Sequence, residues 1–101
     1  KAAISNFTQW LAVHFSKVGI RCNAIAPGFL VTAQNEKLLF DNDGNPTPRA
    51  DKILRNTPMG RFGESNELVG GVFFLADSTL ASFVNGVVLP IDGGFAAYSG
   101  V

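Results

Sequence analysis

The chain has 101 residues, with eight Lys and Arg against eight Asp and Glu and a formal net charge of zero. That length bounds it to one domain at most, and without a basic or acidic stripe neither nucleic acid nor an anionic membrane is expected as a partner. Apolar residues make up 47% and charged residues only 16%, which suits the interior of a larger body better than a small, surface-rich domain.

Residues 2–18 are predicted to be helical. Ile4, Phe7, Leu11, Phe15 and Val18 recur at the 3.6-residue period. Trp10 and Val13 widen that stripe, so the helix is expected to face both a sheet and a partner helix. Lys17 suits the negative end of the helix dipole, and Gly19 is the expected residue just past the helix end. Ile20–Ala26 follows as a short, mostly apolar stretch and is expected to be a buried parallel strand. Cys22 lies in it and is the one cysteine, so no internal disulfide can form and a reducing compartment is expected. It reads as a buried structural thiol.

The next stretch, Asn23-Ala24-Ile25-Ala26-Pro27-Gly28-Phe29-Leu30-Val31-Thr32, carries the most information. An apolar strand runs into a Pro-Gly turn. Pro27 fixes φ, Gly28 admits another group close to the backbone, and the N–H groups that follow are free to meet a polar ligand. Thr32 adds a hydroxyl that donates and accepts. A strand ending in exposed backbone donors is where an open parallel sheet holds its ligand.

Residues 33–57 are polar and irregular. Two short helices, near 33–40 and 49–56, are expected around the turn Asp41-Asn42-Asp43-Gly44-Asn45-Pro46. The alternation of Asp41, Asp43 and Asn45 is that of a calcium loop, but the plain Asx-rich turn is the preferred reading, because Pro46 stands where the sharp-turn glycine belongs and no glutamate closes the loop. Residues 65–77 are predicted to form a helix capped by Ser65 or Asn66, with Leu68, Val69, Val72, Phe73 and Leu75 at helical spacing. Gly70-Gly71 weakens it, and is expected where another backbone packs closely. Val87–Ile91 is the second expected buried strand, followed by the turn Asp92-Gly93-Gly94 and an uncharged tail from Phe95 to Val101.

Helix, strand, helical segment, helix and strand in that order indicate an α/β fold with a parallel sheet. Two strands do not make a sheet of this kind alone, so further strands are expected from outside the chain. His14 reads as a surface or interface histidine, and Trp10 and Phe15 as packing residues at an interface or on a sheet. Lys37, Arg49, Lys52 and Arg55 read as a solvated face, with the alternative that one meets a substrate carboxylate. Arg61 is expected to hold its turn through backbone carbonyls. No apolar run has the length of a membrane span.

Taken together, the motifs resemble the C-terminal part of a short-chain dehydrogenase/reductase over the whole chain. Lys1-Ala2-Ala3 before a helix is similar to the segment opening on the catalytic lysine of the family's Tyr-x-x-x-Lys motif. Asn23-x-Ile25-x-Pro27-Gly28-x-x-x-Thr32 resembles the family's cofactor turn. Pro58-Met59-Gly60-Arg61-Phe62-Gly63 resembles the hinge closing the substrate-binding insertion, and Asn85-Gly86 with Asp92-Gly93-Gly94 the last strand and its end. Within the family, the tail from Asp92 to Val101 and the pair Gln34-Asn35 resemble the D-mannonate oxidoreductases (fructuronate reductases).

The resemblance implies the C-terminal portion of a doubly wound, Rossmann-type domain with a substrate-binding insertion at about 33–57. It implies NAD or NADP as cofactor, with NAD slightly favoured. Lys1 would bond the nicotinamide ribose and lower the pKa of a catalytic tyrosine four positions upstream. Pro27 and Gly28 would shape the cofactor turn, the Leu30 backbone would face the carboxamide, and Thr32 would hold the carboxamide or a phosphate. Phe29, Gln34 and Asn35 would meet the substrate, and no metal is implied. The expected partners are a small-molecule substrate, the N-terminal part of the same fold and further copies in a homotetramer, in the cytoplasm. The expected reaction is hydride transfer between nicotinamide and a sugar-acid ketone or alcohol, fructuronate and mannonate, which this chain cannot perform alone. Another polyol or 3-oxoacyl reductase, or a non-catalytic regulator or scaffold of the same fold, stays open until the residue four before Lys1 is known.

Overall fold

A computed structural model of the chain describes residues 1–100. Six regular elements follow one another: α1 (Ala2–Phe15), β1 (Ala24–Pro27), α2 (Glu36–Leu39), α3 (Pro48–Arg55), α4 (Val69–Ala76) and β2 (Val88–Ile91). Single 3-10 turns extend α1 at Ser16–Val18, precede α4 at Ser65–Leu68 and follow β2 at Phe95–Ala97. The α/β order is as expected. β1 and β2 are neighbours in a two-stranded sheet. Ala24 donates to Val87 and Gly28 to Ile91, each at 2.9 Å. Both partners advance together along the chain, so the pair is parallel. The residues fall into two compact units, one of 1–26 with 69–90, the other of 27–68 with the residues from Ile91 on.

In the first unit, α1 and its 3-10 extension end at Gly19, whose φ of +80° turns the chain. The strand expected over Ile20–Ala26 is shorter at its start: the Cys22 carbonyl accepts from the Gly86 N–H at 2.9 Å, but the Cys22 N–H and the Asn23 side chain bond through asparagine amides. The Cys22 N–H donates to Asn85 Oδ1 at 2.9 Å, and the Asn85 amide donates to the Ala12 carbonyl at 3.0 Å. Asn23 reciprocates, donating to Val84 O and accepting from the Val87 N–H, each at 3.0 Å. Arg21 reaches the Leu75 carbonyl at 2.8 Å. Two asparagines and an arginine thus tie the segments that lead into the strands. Only Thr8, Ala12 and Ala81 are buried in this unit. The stripe of α1 is open, with Val13 at 77% exposure and the Phe7, Trp10 and His14 rings stacked along the helix at 5.9 and 4.6 Å. α4 has no buried residue. A Cβ on Gly70 would meet nothing within 4 Å, so the close backbone contact expected at the glycine pair is not made at Gly70.

The second unit has its own small core. Leu39, Ala50 and Ile53 are buried, with Val31, Phe40 and Phe62 packed against them. α3 starts with Thr47 as cap, whose hydroxyl accepts from the Ala50 N–H, and Pro48 at the first helical position. Asp41 accepts from the N–H groups of Asp43 and Asn45 with one carboxylate oxygen, closing the Asx-rich turn. Residues 33–57 are therefore a folded α2–turn–α3 module, in which α2 is shorter than the helix expected near 33–40 and α3 has the length expected near 49–56. The segment before α4 is not capped by Ser65 or Asn66 in the expected way. Instead the Glu67 carboxylate accepts the Glu64 N–H at 2.8 Å, one half of a capping box.

Candidate functional site

The site forms where the chain leaves β1 and β2, at their carboxyl ends, all within the second unit. Pro27 ends β1 and Gly28 follows. A Cβ on Gly28 would stand 2.6 Å from Asp92 Cα, so the glycine is required by the neighbouring strand end. The group that approaches this backbone closely is the chain itself at Asp92.

Beyond Gly28 the backbone turns along a second segment. Gly63 N–H donates to Phe29 O at 3.0 Å and Val31 N–H to Gly63 O at 3.2 Å, a parallel bridge centred on Leu30. In that pattern the Leu30 N–H points away from Gly63. Among the described residues no acceptor meets it. A small cleft of about 110 Å3 opens here, with Gly28, Phe29 and Leu30 on one side. Met59, Arg61 and Gly63 of the hinge and Asp92 and Gly93 of the last turn complete its walls.

Arg61 does more than meet carbonyls. It donates once to Phe62 O at 3.1 Å, but its two terminal nitrogens also grip Glu67 at 2.8 and 2.7 Å. This fork-to-fork pair fixes both planes. The guanidinium, with the Glu64 N–H second, holds the Glu67 carboxyl down at about 2. Asp92 accepts the N–H groups of Gly94 and Ala96, each at 2.9 Å, and so starts the turn that carries Phe95. Phe95 meets Phe29 edge to face at 5.2 Å.

The sequence-predicted residues divide in three. Gly28, Phe29 and Leu30 line the cleft, and Pro27 leads into it. Thr32, Gln34 and Asn35 lie on the loop beyond and do not line it. Thr32 and Gln34 have exposed side chains. Asn35 turns its side chain inward: Oδ1 accepts the Thr32 N–H at 2.9 Å and Nδ2 donates to Leu30 O at 2.8 Å. Its amide braces the loop behind Leu30, which limits what it has left for a substrate. Lys1 is exposed at the start of α1 and belongs to the other unit, as do the residues of β1 before Pro27. The site roles of Met59, Gly63, Glu67 and Gly93 were not read from the sequence. For Met59, Gly63 and Gly93 the signal was the hinge motif and the Asp-Gly-Gly turn; Glu67 lies outside both. No group of three or more metal-ligating side chains occurs among the described residues, and no described helix is long and apolar enough to cross a membrane.

The donor set fits a cofactor carboxamide. An unpartnered backbone N–H beside a cleft, with a hydroxyl two residues on, offers what such a group accepts and donates to.

Comparison with known proteins adds relatives to this geometry. The sequence profile of a family described as enoyl-(acyl carrier protein) reductase matches residues 1–96. An uncharacterized oxidoreductase of Haemophilus influenzae is 76% identical over 101 residues, 100% of this chain and 35% of that protein. Gluconate 5-dehydrogenase of Gluconobacter oxydans is 39% identical over 94 residues, 93% of this chain and 34% of that protein. A crystal structure with bound NAD, provisionally described as D-mannonate oxidoreductase from Haemophilus influenza, superposes with a TM-score of 0.93 at 76% identity, covering 99% of this chain and 36% of that one. Other solved relatives carry NADP. The chain thus spans about a third of the length of the relatives it matches.

Proposed function

The chain belongs to the short-chain dehydrogenase/reductase family, and from that premise we propose that it supplies the C-terminal third of an NAD(P)-dependent oxidoreductase acting on a sugar acid. The preferred substrate pair is fructuronate and mannonate. The observation that carries the reading is the Leu30 N–H, unpartnered among the described residues at a cleft at the strand ends. The nicotinamide, when bound, supplies the hydride acceptor or donor. The role of this chain is to hold it: the Leu30 N–H donates to the carboxamide, the Thr32 hydroxyl meets the carboxamide or a phosphate, and Gly28 keeps the turn against Asp92. Lys1 is assigned to the ribose and to lowering the pKa of a tyrosine four positions upstream; an ammonium close to a phenol favours the phenolate.

Gln34 supports the sugar acid. Its amide is exposed on the loop after the cofactor turn, and an amide can both donate to and accept from hydroxyls. Phe29 supports the substrate side as a wall beside the turn. A second reading, a 3-oxoacyl substrate, draws on the apolar Phe29–Phe95 pair. The open stripe of α1 supports assembly into a homotetramer, and the single cysteine supports a cytoplasmic location.

The test is NAD(P)H-dependent reduction by the full-length protein of fructuronate, a neutral cyclic ketone and a 3-oxoacyl thioester. The reading expects the highest kcat/KM for fructuronate. A higher value for the thioester would replace it with the second reading, and no turnover of any carbonyl would remove both.

A further inference from the structure

A second pocket, of about 250 Å3, lies in the same unit beside α3. Arg49, Lys52 and Asn56 line it, with Ile53 between them and Phe29 and Phe95 as the apolar wall. The positions 49, 52, 53 and 56 share one helical face by their spacing of three and four. Ile53 is also part of the buried core, so this face is anchored.

Local structure accounts for Lys52, which sits in the last turn of α3, where a cation suits the dipole. It does not account for Arg49. Arg49 sits in the first turn, where a cation is disfavoured. The one ion pair among the described residues joins Arg61 to Glu67, so neither Arg49 nor Lys52 meets a carboxylate there. Asn56 donates through Nδ2 to Lys52 O at 2.7 Å, which leaves Oδ1 as an acceptor. Two cations and an amide oxygen therefore share a pocket with an aromatic wall. Phe29 lines this pocket and also the cleft at the cofactor turn.

We infer that the pocket docks the carboxylate end of the substrate, with Arg49 as the forked donor and Lys52 as the second charge. This rests on the sugar-acid reading above and deepens it. A guanidinium matches a carboxylate with two parallel hydrogen bonds. Asn56 Oδ1 accepts from a hydroxyl of the sugar, and Phe29 and Phe95 keep water from one side of the charge pair. The substrate then lies with its carboxylate over α3 and its carbon chain leading past Phe29 toward the turn. Specificity for acids over neutral sugars resides in this pocket.

The experiment uses the full-length protein and compares fructuronate with fructose, which carries a hydroxymethyl group in place of the carboxylate. The ratio of their kcat/KM values is measured in wild type, Arg49→Gln, Arg49→Lys and Lys52→Gln, with NADH binding followed by fluorescence as a check on folding. Arg49→Gln should reduce the fructuronate-to-fructose ratio by about 10- to 100-fold, the worth of hydrogen bonds to a charged group, with the change in the fructuronate KM more than in kcat. Arg49→Lys, keeping charge without the fork, should fall between, and Lys52→Gln should reduce the ratio less. A wild type that prefers fructuronate and keeps that preference in both Gln variants overturns the inference and leaves the sugar-acid reading standing. A wild type with no such preference overturns the sugar-acid reading, and this inference with it.

Discussion

At the scale of single residues, the loop after the cofactor turn separates two side chains that look alike in sequence. Gln34 and Asn35 are adjacent amides. Asn35 is bonded at both ends to the loop backbone, while Gln34 is exposed. Asn35→Leu should therefore lower kcat/KM equally for fructuronate and for a simple cyclic ketone, because the Leu30 carbonyl and the Thr32 N–H lose their partner together. A loss confined to fructuronate would return Asn35 to the substrate. Thr32 differs again. Its backbone serves the turn, accepting from Asn35 and Glu36 at 3.1 and 3.0 Å, and its hydroxyl remains for the cofactor. Thr32→Val in the full-length protein should weaken NAD(P) binding by about 1–2 kcal/mol, the cost of leaving one polar partner unpaired. Calorimetric titration reads this, and an unchanged Kd removes the role.

At the scale of elements, the segment from Pro58 to Leu68 carries the one ion pair among the described residues beside its backbone bonds to Phe29, Val31 and Gly93. Glu67 ties Arg61 and the Glu64 N–H, and so braces the hinge wall of the cleft. Its carboxyl is depressed from 4.5 to about 2. A depressed folded-state value means that the pair contributes above the ordinary carboxyl range, and that the contribution is lost as pH falls from about 4.5 through 2. Amide exchange across 60–67 in the full-length protein should accelerate between pH 5 and about pH 3, beyond the intrinsic trend, and Glu67→Gln should remove that pH dependence. Identical profiles for the two proteins would show that the pair does not brace the hinge. The pair is exposed, so salt should weaken it as well.

For the whole molecule, burial sets the expectation. Among the described residues no large side chain is fully buried, and Phe83 is 101% exposed. Two paired strands with open apolar helices do not bury enough surface to offset chain entropy. The isolated 1–101 polypeptide should show no cooperative thermal transition. A sharp, reversible melt from a purified monomer would overturn that. In the full-length protein, the exposed Phe7–Trp10–His14 stack on α1 should be covered by a second copy. Trp10→Glu should convert a tetramer to dimers by light scattering; a wild-type monomer would end the assignment.

Periodicity determined α1 and the helix that contains α4, because burial repeats at 3.6 residues, while the order of helices and short apolar runs determined the parallel pair; α2 and α3 were legible only from the turn between them. The Pro27-Gly28 turn was legible for the same local reason: only a few residue types satisfy such a backbone. Strand ends were not. Cys22 and Asn23 read as strand, yet the Cys22 N–H and the Asn23 amide are bonded through asparagine side chains to the 84–87 segment. Tertiary contact alone decided that Gly28 answers to Asp92, that Arg61 belongs to Glu67, that Asn35 braces Leu30, and that Arg49 and Phe95 face one pocket. Periodicity records which side of an element is buried; the identity of the partner depends on distances in space, which residue spacing along the chain does not carry.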